Sequence, residues 1–259
     1  MIAWTGRKTV QGVAYVADVL YLSYRAFKEL FAPARRGRAE AFRVISRQVL
    51  FTGVDALPVV GAIAIILGLL IIIQAGATLP LVGAGAFLAK IVELTVVREL
   101  GPLLTAFIVV WRSGTAMCTE LGNMRVGEEI AALETMGISV IRFLVMPRLI
   151  GAIVAMICLT VYFDVVAILG GFLVAKVTLT IPVTVYLAEI EKALSSADVL
   201  ITVIKGGLFG VVIAAICCHH GHSVGVATTE VPQQTTRAML NTVTVCLVID
   251  IVVSVSFYL

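Results

Sequence analysis

The feature that most constrains this fold is a run of 20 residues, 54–73, whose one charged residue is Asp55. An α-helix rises 1.5 Å per residue, so ~20 residues cross a hydrocarbon core of ~30 Å. The composition agrees, because 60% of the residues are hydrophobic and 14% are charged, against ~25% charged in soluble domains. The chain is therefore predicted to be an all-α integral membrane protein.

Four further stretches predict crossings, at 88–122, 149–175, 199–218 and 238–259. The uncharged residues 74–87 predict an outer turn and the start of the next helix, and one crossing more or fewer near residues 74–100 is the alternative. Nine of the 19 Lys and Arg precede residue 48, and the positive-inside rule then places the N-terminus in the cytoplasm. Five crossings put the C-terminus on the outer side.

Residues 1–50 are predicted to form an amphipathic N-terminal region, and residues 51–259 the transmembrane domain. Apolar side chains recur at spacings of three and four, which is typical of a helix lying in the membrane interface. They are Val13, Val16, Leu20, Tyr24, Phe27 and Phe31. The same pattern also fits a helix packed on a soluble partner.

The ionisable residues at membrane depth are the main candidates for function, since such groups are costly in lipid and tend to mark pathways or sites. They are Arg98, Glu99, Lys205 and Asp250. Lys205 and Asp250 lie at matching depths of adjacent predicted helices, which predicts that they pair. The alternative is that these charges only hold helices together.

A polar segment at 123–138 predicts a short amphipathic helix on the cytoplasmic side, bracketed by Gly122 and Gly137. Its apolar stripe is Val126, Ile130, Leu133 and Met136, and its charged residues are Arg125, Glu128, Glu129 and Glu134. Such a helix across the end of a bundle suits a cytosolic docking partner. A solvated loop helix is the alternative.

Two enzyme signatures are excluded by the sequence. The dipeptide Gly-Lys is absent from the chain, so a phosphate-binding P-loop is excluded, and HExxH does not occur. Cys217, Cys218, His219, His220 and His222 have zinc or copper chemistry, but adjacent residues on a helix point apart and no second ligand group is evident. No metal site is expected there. The five cysteines are interpreted as reduced packing residues.

Small residues follow one face of two predicted helices at spacings of four, a pattern that lets helix backbones approach closely. They are Gly206, Gly210, Ala214 and Cys218 in one helix, and Gly114, Cys118 and Gly122 in the other. The pattern fits packing within one chain as well as a dimer seam.

The segment 97–151 carries the most specific motifs. They are Arg98-Glu99-Leu100-Gly101-Pro102, Arg112-Ser113-Gly114, Glu120-Leu121-Gly122, Met124-Arg125, Glu128-Glu129, Glu134-Thr135-Met136 and Pro147-Arg148. In these motifs the chain resembles the permease subunits of the MlaE/YrbE family, the membrane components of ABC transporters that move phospholipids in Mla and Mce systems. One departure is Pro232-Gln233-Gln234, where family members usually have a glycine-rich run.

The resemblance implies a homodimeric inner-membrane permease with five membrane helices and an N-terminal interfacial helix per chain. It implies that 123–138 is the coupling helix for a cytoplasmic ABC ATPase, which would hold the ATP, so that this chain needs no cofactor. It also implies that Arg98, Glu99, Lys205 and Asp250 lie in or near a phospholipid cavity. A periplasmic MCE-domain protein and a small STAS-domain protein are the further implied partners, and nucleic acid is not expected.

The main rival is a secondary transporter that uses the four intramembrane charges as an ion relay. It predicts inverted repeats, and the two halves of the sequence show no self-similarity. A membrane enzyme or a purely structural subunit is the second rival.

Overall fold

The computed structural model describes residues 15, 17–29, 38–78, 90–178, 188, 191–192, 194–225 and 227–258, and the regular secondary structure of these residues is helical. Residues 17–29 form an N-terminal helix. The α-helices that follow are Arg38–Thr52, Leu57–Thr78, Gly101–Val109, Thr115–Val126, Glu129–Thr135, Met146–Thr178, Ser196–His222 and Glu230–Tyr258. Three π-helical stretches lie at Glu93–Leu100, Val110–Gly114 and Ile141–Val145.

Among the described residues, five helical segments are long and apolar enough to cross a membrane, as the sequence predicts. Span 1 is Arg43–Gln74, span 2 Lys90–Val126, span 3 Ile141–Leu173, span 4 Ser196–His222 and span 5 Glu230–Phe257. The multi-pass all-α fold is therefore confirmed.

The first crossing begins earlier than predicted. A 3₁₀ turn, Val54–Ala56, joins the helix Arg38–Thr52 to the helix Leu57–Thr78, and the amide of Ala56 donates to the carbonyl of Gly53 at 3.0 Å. The apolar run predicted a start at residue 54, but the helical backbone of this span begins before it. The predicted turn at 74–87 is wrong at its start, because the helix continues to Thr78, while residues 79–89 lie outside the described residues.

The chain divides into two compact units, each built from three separate segments. The first unit contains Met1–Val49, Val110–Ala152 and Val211–Thr242, and the second contains Leu50–Val109, Ile153–Gly210 and Val243–Leu259. The ion pairs and hydrogen bonds of the candidate site residues each lie within one of these units.

Glycines in the second unit mark close helix crossings. A Cβ atom built on Gly68 would overlap the main-chain oxygen of Ala167, and one on Gly170 would lie 3.0 Å from Cα of Ile65. These two contacts pack span 1 on span 3. A Cβ on Gly206 would lie 3.2 Å from Oγ1 of Thr160, so this member of the predicted small-residue stripe packs within one chain.

Glycines in the first unit do the same. A Cβ on Gly122 would lie 3.1 Å from Val224 and 3.2 Å from Val231, and a Cβ on Gly221 would lie 2.9 Å from the carbonyl oxygen of Cys118. Gly122 is therefore a packing residue inside span 2 rather than the start of a separate helix. Cys118, Cys217, Cys218 and Cys246 are buried, as the packing interpretation expects, whereas Cys158 is exposed and does not fit it.

The N-terminal helix, residues 17–29, turns Leu20 and Tyr24 outward, while Ser23 and Ala26 are buried. An apolar face without protein cover is what an interfacial helix requires. Val13, Val16 and Phe31 of the predicted face lie outside the described residues.

Candidate functional site

Lys205 lies at the centre of a buried charge cluster in the second unit. Its Nζ lies 2.8 Å from Oδ1 of Asp250 and 3.2 Å from Oε2 of Glu99. It also donates, at 2.8 Å each, to Oγ of Ser254 and to the main-chain oxygen of Arg98. We call Glu99, Lys205, Asp250 and Ser254 the lysine cluster. The predicted pairing of Lys205 with Asp250 is confirmed.

The members of this cluster come to the same level because their helices alternate in direction. Glu99 lies nine residues after the start of span 2, Lys205 nine residues after the start of span 4, and Asp250 seven residues before the end of span 5. At 1.5 Å per residue, all three are roughly 10–14 Å from those helix ends. The charges thus lie within the apolar length of the spans.

The main chain of span 2 supplies two acceptors to span 4. In the π-helical stretch Glu93–Leu100 the amide of Gly101 bonds the carbonyl of Val96, and Pro102 has no N–H to offer the carbonyls of Val97 or Arg98. Oγ1 of Thr202 donates to Val97 at 3.2 Å, and Lys205 donates to Arg98. Thr202 and Lys205 are three residues apart on one helix face. This face of span 4 therefore supplies the hydrogen-bond donors that the carbonyls of Val97 and Arg98 lack within span 2.

Ser254 joins the cluster although the sequence interpretation missed it. It accepts a hydrogen bond from Lys205 and donates one of 2.8 Å to Oε1 of Glu99. A signal was available, because Ser254 follows Asp250 by four residues and so shares its helix face.

The side chain of Arg98 belongs to a different network from the lysine cluster. Its guanidinium lies 2.5 Å from Oε1 of Glu93 and 2.7 Å from Oδ1 of Asp198. Lys90 pairs with the other oxygen of Glu93 at 2.5 Å. Only the main-chain carbonyl of Arg98 touches Lys205, because adjacent residues of a helix point in different directions.

Asp198 also caps the N-terminus of span 4. Its Oδ2 accepts from the amide of Ser195 at 2.8 Å, and Oγ of Ser195 accepts from the amide of Ala197 at 3.3 Å. This reciprocal arrangement is a capping box with Asp in the third helical position. One carboxylate therefore caps span 4 and fixes Arg98 of span 2, a double role that no spacing in the sequence indicates.

A further carboxyl group in span 3 was missed as well. Asp164 is buried, and its Oδ1 has no hydrogen-bond partner among the described residues. A Cβ on Gly101 would overlap this oxygen, so the glycine leaves room for the carboxyl group. An ionisable residue inside an apolar span was the available signal.

The predicted cytoplasmic helix at 123–138 is shorter than expected. Span 2 continues to Val126, Glu128 adopts a left-handed φ of 58°, and the helix itself is Glu129–Thr135. It ends in a Schellman motif, in which Gly137 has a φ of 73° and the amide of Ile138 bonds the carbonyl of Leu133 at 3.0 Å. We call residues 127–138 the coupling segment.

The charged residues predicted for docking are all on the surface of this region. Arg125, Glu128, Glu129 and Glu134 are exposed, and Met136 of the predicted apolar stripe is exposed too, whereas Ile130 is completely buried. Ile130 therefore anchors the helix and the four charges face outward, as a docking surface requires.

An ion pair in the first unit joins the two spans that flank the coupling segment. Nη2 of Arg148, in span 3, lies 2.7 Å from Oε2 of Glu120, in span 2. Nη1 of Arg148 also donates to the carbonyl of Leu144 at 2.9 Å, within the π-helical stretch Ile141–Val145. The guanidinium thus holds the two helices between which the coupling segment lies.

His220 lies at the centre of a hydrogen-bond network at the end of span 4. Its Nδ1 lies 3.0 Å from Oε1 of Gln234, and its Nε2 lies 3.2 Å from both Tyr15 Oη and Asn241 Nδ2. Since the Gln234 oxygen only accepts, Nδ1 carries the proton and Nε2 accepts. Burial raises the pKa of the Tyr15 phenol, which keeps its proton available for this bond.

This network accounts for part of the Pro232-Gln233-Gln234 departure, because Gln234 fixes the His220 tautomer. Pro232 lies in the first turn of span 5, where its missing N–H costs nothing. Within the described residues, no group of three or more His, Cys, Asp or Glu is arranged to hold a metal ion.

Comparison with known proteins places these features in a family. The model of the family described as "Permease MlaE" matches residues 45–256. The chain belongs to the MlaE permease family. That match covers all five spans apart from the first two residues of span 1 and the last residue of span 5, and it includes the lysine cluster and the coupling segment.

Relatives from several lineages are consistent with this family assignment. The chain is 31% identical over 253 residues to a probable ABC transporter permease of Rickettsia felis, covering 98% of this chain and 96% of the relative. It is 27% identical over 214 residues, 82% of each chain, to the intermembrane phospholipid transport permease MlaE of Haemophilus influenzae. It is also 28% identical over 176 residues to the chloroplastic Protein TRIGALACTOSYLDIACYLGLYCEROL 1 of Arabidopsis thaliana, covering 68% of this chain and 50% of the relative.

Membership establishes the general function. The protein is a multi-pass ABC transporter permease subunit and not itself an enzyme, and it works with a partner ATPase subunit. An ABC permease takes its energy from ATP hydrolysis on that partner, so the ion-coupled rival loses its support.

Proposed function

We propose that this permease translocates phospholipids and that the lysine cluster lies on the lipid path. In this proposal two copies form the permease in a bacterial inner membrane, with the N-terminus in the cytoplasm. A cytoplasmic ATPase drives it, and a periplasmic MCE-domain protein, with a small STAS-domain protein as a further partner, completes a route that serves outer-membrane lipid asymmetry.

The observation that carries the proposal is the lysine cluster itself. Three charged side chains lie at one level inside apolar helices, and Glu99 keeps 38% of its side chain exposed. Lipid tails do not tolerate an exposed charge, so this carboxylate needs polar groups around it. A phospholipid headgroup in a cavity closed by a second copy provides such groups, and the apolar spans suit acyl chains.

The phospholipid assignment also draws on the Haemophilus influenzae relative, which is named as a phospholipid transport permease. Arg98 is proposed to act indirectly, because its guanidinium is held by Glu93 and Asp198. It fixes the helix from which Glu99 projects.

The coupling segment is the proposed contact with the ATPase. Its exposed charges, Glu128, Glu129 and Glu134, together with Arg125 at the adjoining end of span 2, offer ion-pair partners to a cytosolic surface. The ion pair between the buried Arg148 and the exposed Glu120 would transmit movement of the coupling segment to spans 2 and 3.

The proposal is tested by purifying the complex from native membranes and identifying co-purifying proteins and bound lipids by mass spectrometry. We expect an ABC ATPase, an MCE-domain protein and phospholipid in the same preparation. Glu129→Lys combined with Glu134→Lys should release the ATPase, whereas Glu191→Lys, an exposed glutamate outside the coupling segment, should retain it. Retention by both variants, or a preparation without phospholipid, would contradict the proposal.

A further inference from the structure

The lysine cluster presents a carboxylate, and not an ammonium group, to anything that enters it. The Lys205 side chain is 1% exposed. The three N–H bonds of its Nζ donate to the Arg98 carbonyl, Glu99 Oε2 and Ser254 Oγ, and Asp250 Oδ1 lies 2.8 Å away as an ion-pair partner. No donor of Lys205 is left over for a lipid phosphate. Glu99 is the most exposed of the three charged side chains in the cluster.

The neighbouring cation, Arg98, is also paired with protein carboxylates. The Arg98 guanidinium is 13% exposed and bridges Glu93 and Asp198. Two carboxylates therefore balance it, while Lys90 offsets part of their charge from the other side of Glu93. A headgroup phosphate that approached the lysine cluster would meet Glu99 before either cation.

The charges of the cluster do not cancel. Glu99 and Asp250 are two carboxylates and Lys205 is one ammonium, so with all groups ionised the cluster carries one negative charge. Electrostatic interactions are stronger in an apolar surround than in water, and this excess charge attracts a cation and repels an anion.

Glu99 also has unused acceptor capacity. Its Oε1 accepts from Ser254 and its Oε2 from Lys205, and an ionised carboxylate has about four acceptor positions. The remaining positions accept hydrogen bonds only, so a complementary ligand must donate. A primary ammonium group donates and is positively charged.

We infer that the Glu99 carboxylate contacts the lipid headgroup and binds a primary ammonium group there. The permease would then favour phospholipids that carry such a group, such as phosphatidylethanolamine, over phospholipids whose headgroup is only anionic, such as phosphatidylglycerol. This inference rests on the proposed function and adds to it the chemical class of the cargo.

The test is a competition on the purified transporter complex. The delipidated complex is incubated with equimolar phosphatidylethanolamine and phosphatidylglycerol of identical acyl chains, and the bound lipids are quantified by mass spectrometry. A partly exposed ion pair predicts about two- to five-fold enrichment of phosphatidylethanolamine. Glu99→Gln should remove the enrichment, Glu99→Asp should retain part of it, and the exposed control Glu191→Gln should behave as wild type.

The outcomes separate the two claims. Phospholipid bound at the input ratio by the wild-type complex would overturn the inference and leave the proposed phospholipid function standing. No bound phospholipid would overturn both. Should Glu99→Gln fail to fold, the wild-type competition and Glu99→Asp still decide, because both measure the ratio with a carboxylate in place.

Discussion

The ammonium group of Lys205 donates a 2.8 Å hydrogen bond to the main-chain carbonyl of Arg98. Pro102, four residues further along, cannot bond that carbonyl because it lacks an N–H. The irregular turn of span 2 and the buried lysine of span 4 are therefore parts of one structure. The missing N–H of Pro102 leaves a carbonyl acceptor in span 2, and the ammonium group of span 4 donates a hydrogen bond to it.

Removing the charge of Lys205 should be severe. Lys205→Met leaves Glu99 and Asp250 facing each other without a cation, and breaking a buried ion pair in this way costs ~3–5 kcal/mol of folding free energy. We expect low yield and loss of transport, measured in proteoliposomes. The double reversal Lys205→Asp with Asp250→Lys should recover more function than either single reversal, and equal loss in all three variants would contradict the pairing.

Pro102→Ala should separate stability from function. The new N–H can bond the carbonyls that Thr202 and Lys205 now cap, so thermal stability should hold or rise while transport falls. Pro58→Ala is the control, because Pro58 is an exposed residue of span 1, which contributes no residue to the lysine cluster. Transport equal to wild type in Pro102→Ala would argue against the role of this break.

Gly68→Ala should destabilise the second unit. The added methyl group overlaps the main-chain oxygen of Ala167, which cannot turn aside, and overpacking of this kind costs ~1–3 kcal/mol. Gly207→Ala is the control, since its nearest neighbour would be Cδ1 of Ile157 at 3.7 Å, an ordinary contact. Thermal unfolding in detergent compares the two, and an equal midpoint for both would contradict the close crossing of spans 1 and 3.

Arg148→Gln should uncouple the permease from its ATPase. The variant loses the charge that joins Glu120 to span 3, so the coupling segment is no longer held at its base. ATP hydrolysis by the complex should persist while transport per ATP falls several-fold. Arg25→Gln, an exposed arginine of the N-terminal helix, should leave the ratio unchanged, and a fall of both activities in proportion would indicate a merely structural role for Arg148.

Tyr15→Phe should loosen the N-terminal helix. The variant removes the hydroxyl that bonds Nε2 of His220, a net loss of ~1 kcal/mol. Hydrogen exchange in residues 17–29 should accelerate about five-fold, whereas Tyr24→Phe, at an exposed position, should not change it. Unchanged exchange in Tyr15→Phe would show that other contacts hold this helix.

The sequence was sufficient for features that depend on composition and period. The number of spans follows from apolar length, and the pairing of Lys205 with Asp250 follows from counting residues along helices of opposite direction. The family resemblance rests on motifs between Arg98 and Arg148, which the matched region 45–256 contains.

Features that depend on three-dimensional placement were not accessible. The sequence grouped Arg98 with Glu99 because they are neighbours, but a helix turns their side chains apart, and Arg98 pairs with Glu93 and Asp198. The end of span 2 at Val126 depends on the left-handed backbone of Glu128, an unusual conformation for glutamate. The roles of the site residues in transport and docking stay predictions.

The most direct measurement is ATP-dependent phospholipid transfer by the reconstituted complex of this permease with its ATPase and MCE-domain partner. Labelled phospholipid is followed between proteoliposomes and acceptor protein, with and without ATP, for wild type, Lys205→Met and the control Glu191→Gln. We predict ATP-dependent transfer by wild type and Glu191→Gln and none by Lys205→Met. Transfer that needs no ATP and follows a proton gradient, or full transfer by Lys205→Met, would contradict the account.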